Sequence, residues 1–126
     1  MTALDPYFKA LGRALLSIIF LWAGFGKIAG YAGSQGYMEK FGVPGELLPL
    51  VILTELGGGL AILVGWQTRL AALALAGFCV LSAVIFHNDL GTKAQLIQFL
   101  KNFGLAGGFL VLAASGPGAL SLDERR

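Results

Sequence analysis

Apolar residues along this chain are gathered into four long runs. Leu, Ala, Ile and Val dominate each run, and apolar side chains would cover every face of a helix built from it. Helices that are apolar on all sides are typical of membrane spans, and about 20 residues suffice to cross the hydrocarbon layer. We therefore predict four transmembrane helices, from about Phe8 to Gly30, Leu47 to Gly65, Arg69 to Phe86 and Ala94 to Ser115.

The links between the runs contain helix-breaking residues. Glycines and Pro44 punctuate the stretch 31–46, which we predict to be the longest loop. Only the residues from Gly65 to Arg69 separate the second and third runs, so these two helices must be antiparallel neighbours. The pattern predicts an all-α membrane protein, an antiparallel four-transmembrane-helix bundle that forms a single domain over residues 1–126.

Composition supports a membrane protein. Hydrophobic residues make up 56% of the 126 residues and charged residues only 13%, whereas soluble domains carry about 25% charged residues. The net charge of +2 is small and scattered, which argues against nucleic acid as a partner. Membrane lipid is the partner that this composition predicts.

The distribution of basic residues predicts the orientation. An even number of crossings places both termini on one side of the membrane. Together with the second link, that side holds Lys9, Arg13, Arg69, Arg125 and Arg126, and the opposite side holds Lys27, Lys40, Lys93 and Lys101. Because basic residues accumulate on the cytoplasmic side, we expect both termini in the cytoplasm.

Cysteine and histidine usage limits the chemistry. Cys79 is the one cysteine, which excludes an internal disulfide and a cysteine-based metal site, and we interpret it as a packing residue. A single histidine, His87, cannot supply both axial ligands of a haem. We expect no metal and no covalent cofactor, so any electron carrier would be a diffusible quinone or lie on a partner. The catalytic residues, and whether the chain is an enzyme, remain open.

One carboxylate, Glu55, interrupts the second apolar run. A charge in hydrocarbon costs several kcal/mol unless it is paired, so Glu55 requires a partner or a proton. Because successive helices run in opposite directions, Lys27 and His87 should lie at the same end of the bundle as Glu55. The same end carries Thr54, Ser82, Gln95, Gln98, Lys101 and Asn102, of which Gln98, Lys101 and Asn102 share one helix face.

We predict a polar pocket at this outer end of the bundle. Its candidate residues for head-group binding or proton exchange are Lys27, Glu55, His87, Gln98, Lys101 and Asn102. The inner half carries no comparable group. Because the charge-free core of the first helix is short, Arg13 and Lys27 must lie at membrane depth, snorkel outward or thin the bilayer.

Two interpretations of the ionisable residues stay open. A Lys27–Glu55 pair could serve only to hold two helices together, because each charge needs the other in lipid. Alternatively, the pair could belong to a pocket that binds a polar head group or relays protons. His87, at a helix end, is either an interfacial or capping residue or a proton carrier.

Several stretches resemble the DoxX family of small bacterial membrane proteins. The residues that carry the match are Arg13 with Gly26-Lys27, Glu55-Leu56 with Gly58-Gly59, Thr68-Arg69 and Lys101-Asn102, within Leu11–Gly30, Thr54–Gly77 and Lys101–Gly118, and the ending SLDERR. The resemblance implies a four-helix bundle in a bacterial inner membrane and an association with redox complexes, one relative being the small subunit of a thiosulfate:quinone oxidoreductase. Distant relatives with cysteine pairs oxidise thiols, an activity that this chain cannot share.

Residues and resemblance together favour a redox-associated integral membrane subunit that binds a quinone or similar amphiphile in the outer pocket. A non-enzymatic scaffold that recruits soluble redox or other partners is the first alternative. A small-solute permease is the second, although the inner half offers no charged path. Partner proteins and the oligomeric state, including a homo-oligomer, are left open.

Overall fold

The computed structural model describes residues 3–125. Five α-helices follow one another in this range: α1 (Asp5–Ala29), α2 (Tyr31–Lys40), α3 (Leu48–Val64), α4 (Thr68–Phe86) and α5 (Lys93–Ser115). Short 3₁₀ turns lie at Gly45–Leu47 and Asp123–Arg125. No strand occurs within residues 3–125, in agreement with the predicted all-α class.

Four segments are long and apolar enough to cross a membrane: α1, α4, α5, and α3 with the turn before it (Gly45–Val64). Each lies within one helical turn of its predicted bounds, which confirms the four-span bundle. Large apolar side chains such as Trp22, 79% exposed, and Val111, 68% exposed, point away from the core. Such outer faces are normal for helices whose surroundings are lipid, because lipid chains are as apolar as these side chains.

The spanning helices pack in a ring around an aromatic core. Helix α1 lies along α3, α4 lies along α5, and α3 neighbours α4. Phe20 of α1 completes this arrangement. Its aromatic ring lies 5.5 Å from that of Phe109 on α5 and 6.4 Å from that of Phe78 on α4, between ring centroids. We call the end where α1 stops and α5 starts the α2 end, and the opposite one the terminal end.

The stretch 31–46 is not a loop throughout, and this prediction was wrong for its first ten residues, Tyr31–Lys40. Gly33 and Gly36, which suggested a loop, lie inside α2. Glycine lowers helix stability by about 1 kcal/mol relative to alanine but does not forbid a helix. Burial of Met38 against the bundle compensates for this weak propensity. Only after α2, at Gly42 (φ +83°), does this stretch adopt a left-handed conformation.

The link between α3 and α4 is as short as predicted. Gly65 ends α3 in a left-handed conformation (φ +74°), and the N–H groups of Gly65 and Trp66 both donate to the Ala61 carbonyl at 2.9 Å. Glycine is favoured at this position because it has no Cβ to clash. The reversal is completed by Gln67 (φ +48°), so α3 and α4 are antiparallel neighbours.

Candidate functional site

Lys27 and Glu55 form an ion pair at the α2 end. Lys27 Nζ lies 2.8 Å from Glu55 Oε1, and the two side chains are 31% and 5% exposed. The pair joins α1 to α3, which confirms the predicted contact between these residues. A carboxylate this well buried needs such a partner, because an unpaired charge in a nonpolar interior is costly.

Small residues allow α1 and α3 to approach closely beside the pair. A Cβ at Gly24 would lie 2.6 Å from Leu56 Cγ, and one at Gly59 would lie 3.1 Å from Leu21 Cδ2. Glycines at such crossings are typical of close packing between membrane helices. The short distance between helix axes brings Lys27 and Glu55 within contact range.

A cavity of about 660 Å³ opens next to the ion pair. Residues of α1, α2, α3 and α4 line it, and most of its wall is apolar. The side chains that can form hydrogen bonds are Lys27, Ser34, Tyr37, Thr54, Ser82 and His87. A largely apolar cavity with a few polar groups at defined positions is the usual form of a small-molecule site.

Helix α2 covers one side of this cavity. Tyr37 stacks on Phe86 of α4 at a centroid distance of 5.4 Å, and Phe41 meets the same ring at 5.2 Å. Gly33, Ser34, Tyr37 and Met38 contribute to the lining. These residues were not predicted to line a site, because their segment was expected to be a loop. The signal in the sequence was the pair of aromatic residues Tyr37 and Phe41, on either side of Met38.

His87 lies at the rim of the cavity, where α4 ends. Its Nδ1 atom is 3.0 Å from Oε1 of Gln95 on α5, and the residue is half-buried. Nε2 takes no part in this contact and stays available to another partner. His87 therefore both caps the end of α4 and borders the cavity.

The remaining predicted residues do not reach the cavity. Among the described residues that line it, none belongs to α5. Gln98 and Lys101 are exposed, and the half-buried Asn102 donates from Nδ2 to the Gln98 backbone carbonyl at 3.0 Å. The structure therefore does not place these three residues in the pocket that Lys27 and His87 line, and their expected position near the ion pair stays a prediction.

Sequence comparisons place the chain among known membrane proteins. The family model described as DoxX matches residues 8–88. The chain belongs to the DoxX family. Inner membrane protein YqjF of Escherichia coli (strain K12) is 52% identical over 124 residues, which cover 98% of this chain and 95% of YqjF. Inner membrane protein YphA of the same strain is 35% identical over 130 residues, covering 98% of this chain and 93% of YphA.

No solved structure matches the chain significantly. The four apolar helices and the two relatives nevertheless agree, so the chain is a DoxX family inner membrane protein. The part of this DoxX chain that the structure describes contains no group of three or more His, Cys, Asp or Glu residues that could hold a metal ion.

A second polar site, at the terminal end of this DoxX protein, was not predicted. Arg13 of α1 is only 2% exposed and neither snorkels nor faces lipid. Its Nη1 atom donates to the carbonyls of Ile62, at 3.3 Å, and Leu63, at 3.1 Å, and its Nη2 atom donates to the Leu120 carbonyl. Arg13 thus holds the end of α3 and the C-terminal tail together, which corrects the expectation that this half of the bundle has no polar group comparable to those at the α2 end.

The C-terminal tail completes this site by capping α4. The Asp123 carboxylate accepts hydrogen bonds from the backbone N–H groups of Gln67 at 2.8 Å and Thr68 at 2.9 Å. A carboxylate there satisfies free N–H groups and complements the positive end of the helix dipole. Arg69 similarly donates from Nη1 to the carbonyls of Ala113 and Ala114 at the end of α5. These contacts make the terminal end a structural site.

Proposed function

We propose that this DoxX protein binds a quinone, or an amphiphile with a similar head group, in the cavity at the α2 end and acts as a redox-associated membrane subunit. The observation that carries the proposal is the cavity itself, about 660 Å³ in volume, mostly apolar and lined by Lys27, whose partner Glu55 is buried behind it. The redox association comes from the family resemblance; the cavity supports the head-group binding.

The polar groups of the cavity suit a carbonyl-bearing ring. Lys27 is partly exposed on the cavity side, so its ammonium group can donate to a carbonyl oxygen while Glu55 holds it in place. Ser82 and His87 offer further hydrogen-bond partners on α4. The apolar wall, including Phe78 and Ile85, fits the ring face and the start of an isoprenoid chain.

A polar transport path receives less support from the structure. Phe20, Leu75 and Phe109 are buried in the core between the Lys27–Glu55 pair and the Arg13 site. An apolar core between two polar sites is a barrier to a charged solute, because no polar group replaces its hydration. The permease alternative is therefore less favoured than amphiphile binding.

Binding of a short-chain quinone to the purified protein in nanodiscs tests the proposal. We expect saturable binding to the wild type and a loss of about tenfold or more in Glu55→Gln, since the cation then loses the charge that positions it. His87→Ala should weaken binding by about threefold or less, because water can replace an imidazole at the rim. Circular dichroism establishes that each variant is folded.

Two results would count against the proposal. Absence of quinone binding by the wild type would refute it directly. Full binding by a folded Glu55→Gln variant would leave this carboxylate a structural role only, and the scaffold alternative would become the leading one.

A further inference from the structure

The first half of α5 makes few contacts with the rest of the molecule. From Lys93 to Gly104 no residue is buried, and the first buried residue of α5 is Ala106. Gln98 and Lys101 lie in this half, and their side chains have no hydrogen bond or ion pair within the part of the chain that the structure describes. A charged ammonium group on a membrane-spanning helix is costly in hydrocarbon, so we expect Lys101 to have a partner outside this chain.

Lys101 lies on the side of α5 that approaches α1 further along the helix. Gly108, two turns further on, lies on the same face of α5, and a Cβ there would be 3.4 Å from Leu16 of α1. The face that carries Lys101 is therefore directed towards α1. Gly108 is half-buried and Lys101 is exposed, so this side of α5 is covered near Gly108 and uncovered near Lys101.

Lys27 of α1 and Lys101 of α5 lie at about the same depth. The contact between Phe20 and Phe109 sets the register of these antiparallel helices. Lys27 follows Phe20 by seven residues in α1, and Lys101 precedes Phe109 by eight residues in α5. Each separation is a rise of about 11–12 Å along the helix axis towards the α2 end. We call the gap between the two helices at this level the α1–α5 cleft, with Gln98 and Lys101 as its polar wall.

The cleft carries an unbalanced positive charge. Glu55 neutralises Lys27, and it is the only carboxylate within the helices α3 (Leu48–Val64), α4 and α5. Asp89 lies in the link before α5, more than two turns from Lys101. The other carboxylates of this end, Glu39 and Glu46, lie in α2 and in the turn before α3. The complement that fits an uncovered lysine on a membrane-spanning helix is an anion of the membrane itself.

We propose that the α1–α5 cleft binds an anionic phospholipid. Its phosphate accepts hydrogen bonds from the Lys101 ammonium and the Gln98 amide, and its acyl chains extend past Gly104 towards the middle of the membrane. A Cβ at Gly104 would meet no atom within 4 Å, so this surface is open to a chain. Basic side chains at the edge of a membrane helix attract anionic lipid head groups in this way. The site is separate from the cavity, which no described α5 residue lines.

Native mass spectrometry of the full chain with added phosphatidylglycerol or phosphatidylcholine tests this site. The wild type should bind its first phosphatidylglycerol more tightly than its first phosphatidylcholine. Lys101→Gln should weaken the first phosphatidylglycerol about fivefold, which corresponds to the attraction of one basic residue, and Lys101→Arg should retain most of it. Phosphatidylcholine affinity should not change in any variant.

Lys93→Gln is the matched control, since Lys93 is an exposed lysine of the same helix that lies outside the cleft. It should leave phosphatidylglycerol affinity unchanged, and so should Gly33→Trp, which alters only the cavity. An equal loss in Lys93→Gln, or no loss in Lys101→Gln, would overturn the proposal. The wild type could instead show no preference for phosphatidylglycerol and associate with a polyleucine helix that carries one glutamate. That pair of results would also overturn the proposal and would assign the cleft to a protein partner.

Discussion

Removing the partners of the Lys27–Glu55 pair one at a time should destabilise the protein unequally. Glu55 is 5% exposed and Lys27 is 31% exposed. In Lys27→Met the carboxylate stays buried without its cation, whereas in Glu55→Gln the freed ammonium group can turn towards the cavity. The carboxylate that remains in Lys27→Met is therefore less accessible to polar groups than the ammonium group that remains in Glu55→Gln.

The expected magnitudes follow from this asymmetry. Breaking a fully buried pair costs about 3–5 kcal/mol. Because Lys27 is partly exposed, Lys27→Met should lower the free energy of unfolding by about 3 kcal/mol, near the lower limit of this range. Glu55→Gln should lower it by about 1–2 kcal/mol, because the remaining ammonium group can reach water or the cavity. The double variant Lys27→Met/Glu55→Gln leaves no charge behind and should cost less than Lys27→Met alone.

Reversible unfolding in mixed micelles of mild detergent and sodium dodecyl sulfate measures these free energies. The coupling free energy between the two sites, obtained from the double-mutant cycle, should be about 1–3 kcal/mol. If the two single losses simply add in the double variant, the residues do not interact and the description of this pair is wrong.

Further predictions concern the terminal end. Arg13→Met should lower the free energy of unfolding by about 3 kcal/mol, since it leaves buried carbonyls without donors, and Arg13→Lys should recover only part of this loss. Gly65→Ala should cost about 1–3 kcal/mol, because a Cβ would be strained at φ +74° and would collide with Ser121. Asp123→Ala should cost about 1 kcal/mol by uncapping α4. The same unfolding assay checks all three, and a Gly77→Ala variant, whose Cβ would meet nothing within 4 Å, should be nearly neutral.

The spans and the ion pair could be predicted because each follows from a local rule. Long apolar runs predict membrane helices, and alternating helix direction brings Lys27 and Glu55 to the same end. A buried carboxylate in such a bundle has few possible partners. Neither inference required knowledge of how the helices are arranged around the core.

The Arg13 site could not be predicted because it depends on contacts between distant parts of the chain. The acceptors of Arg13 lie 49, 50 and 107 residues away and are backbone carbonyls, which leave no mark in the sequence. The charged ending SLDERR was the available signal for a tail that folds back.

Errors at the α2 end have a different origin. Glycines at 33 and 36 indicated a loop, whereas packing of Met38 and Tyr37 makes the segment helical. Helical spacing correctly grouped Gln98 with Lys101. It could not show that these residues do not line the cavity, since spacing within one helix says nothing about the distance to another.

The central claim, that the cavity holds an amphiphile, is tested most directly by what co-purifies with the protein. Gly33 and Gly36 both lie on α2 with open space at their Cβ positions, but only Gly33 lines the cavity. Solvent extracts of the wild type and of Gly36→Trp, purified from membranes and analysed by mass spectrometry, should contain about one quinone or similar amphiphile per chain. Extracts of Gly33→Trp, whose indole enters the cavity, should contain far less. Equal amounts in the two tryptophan variants, or no such molecule with the wild type, would contradict the account.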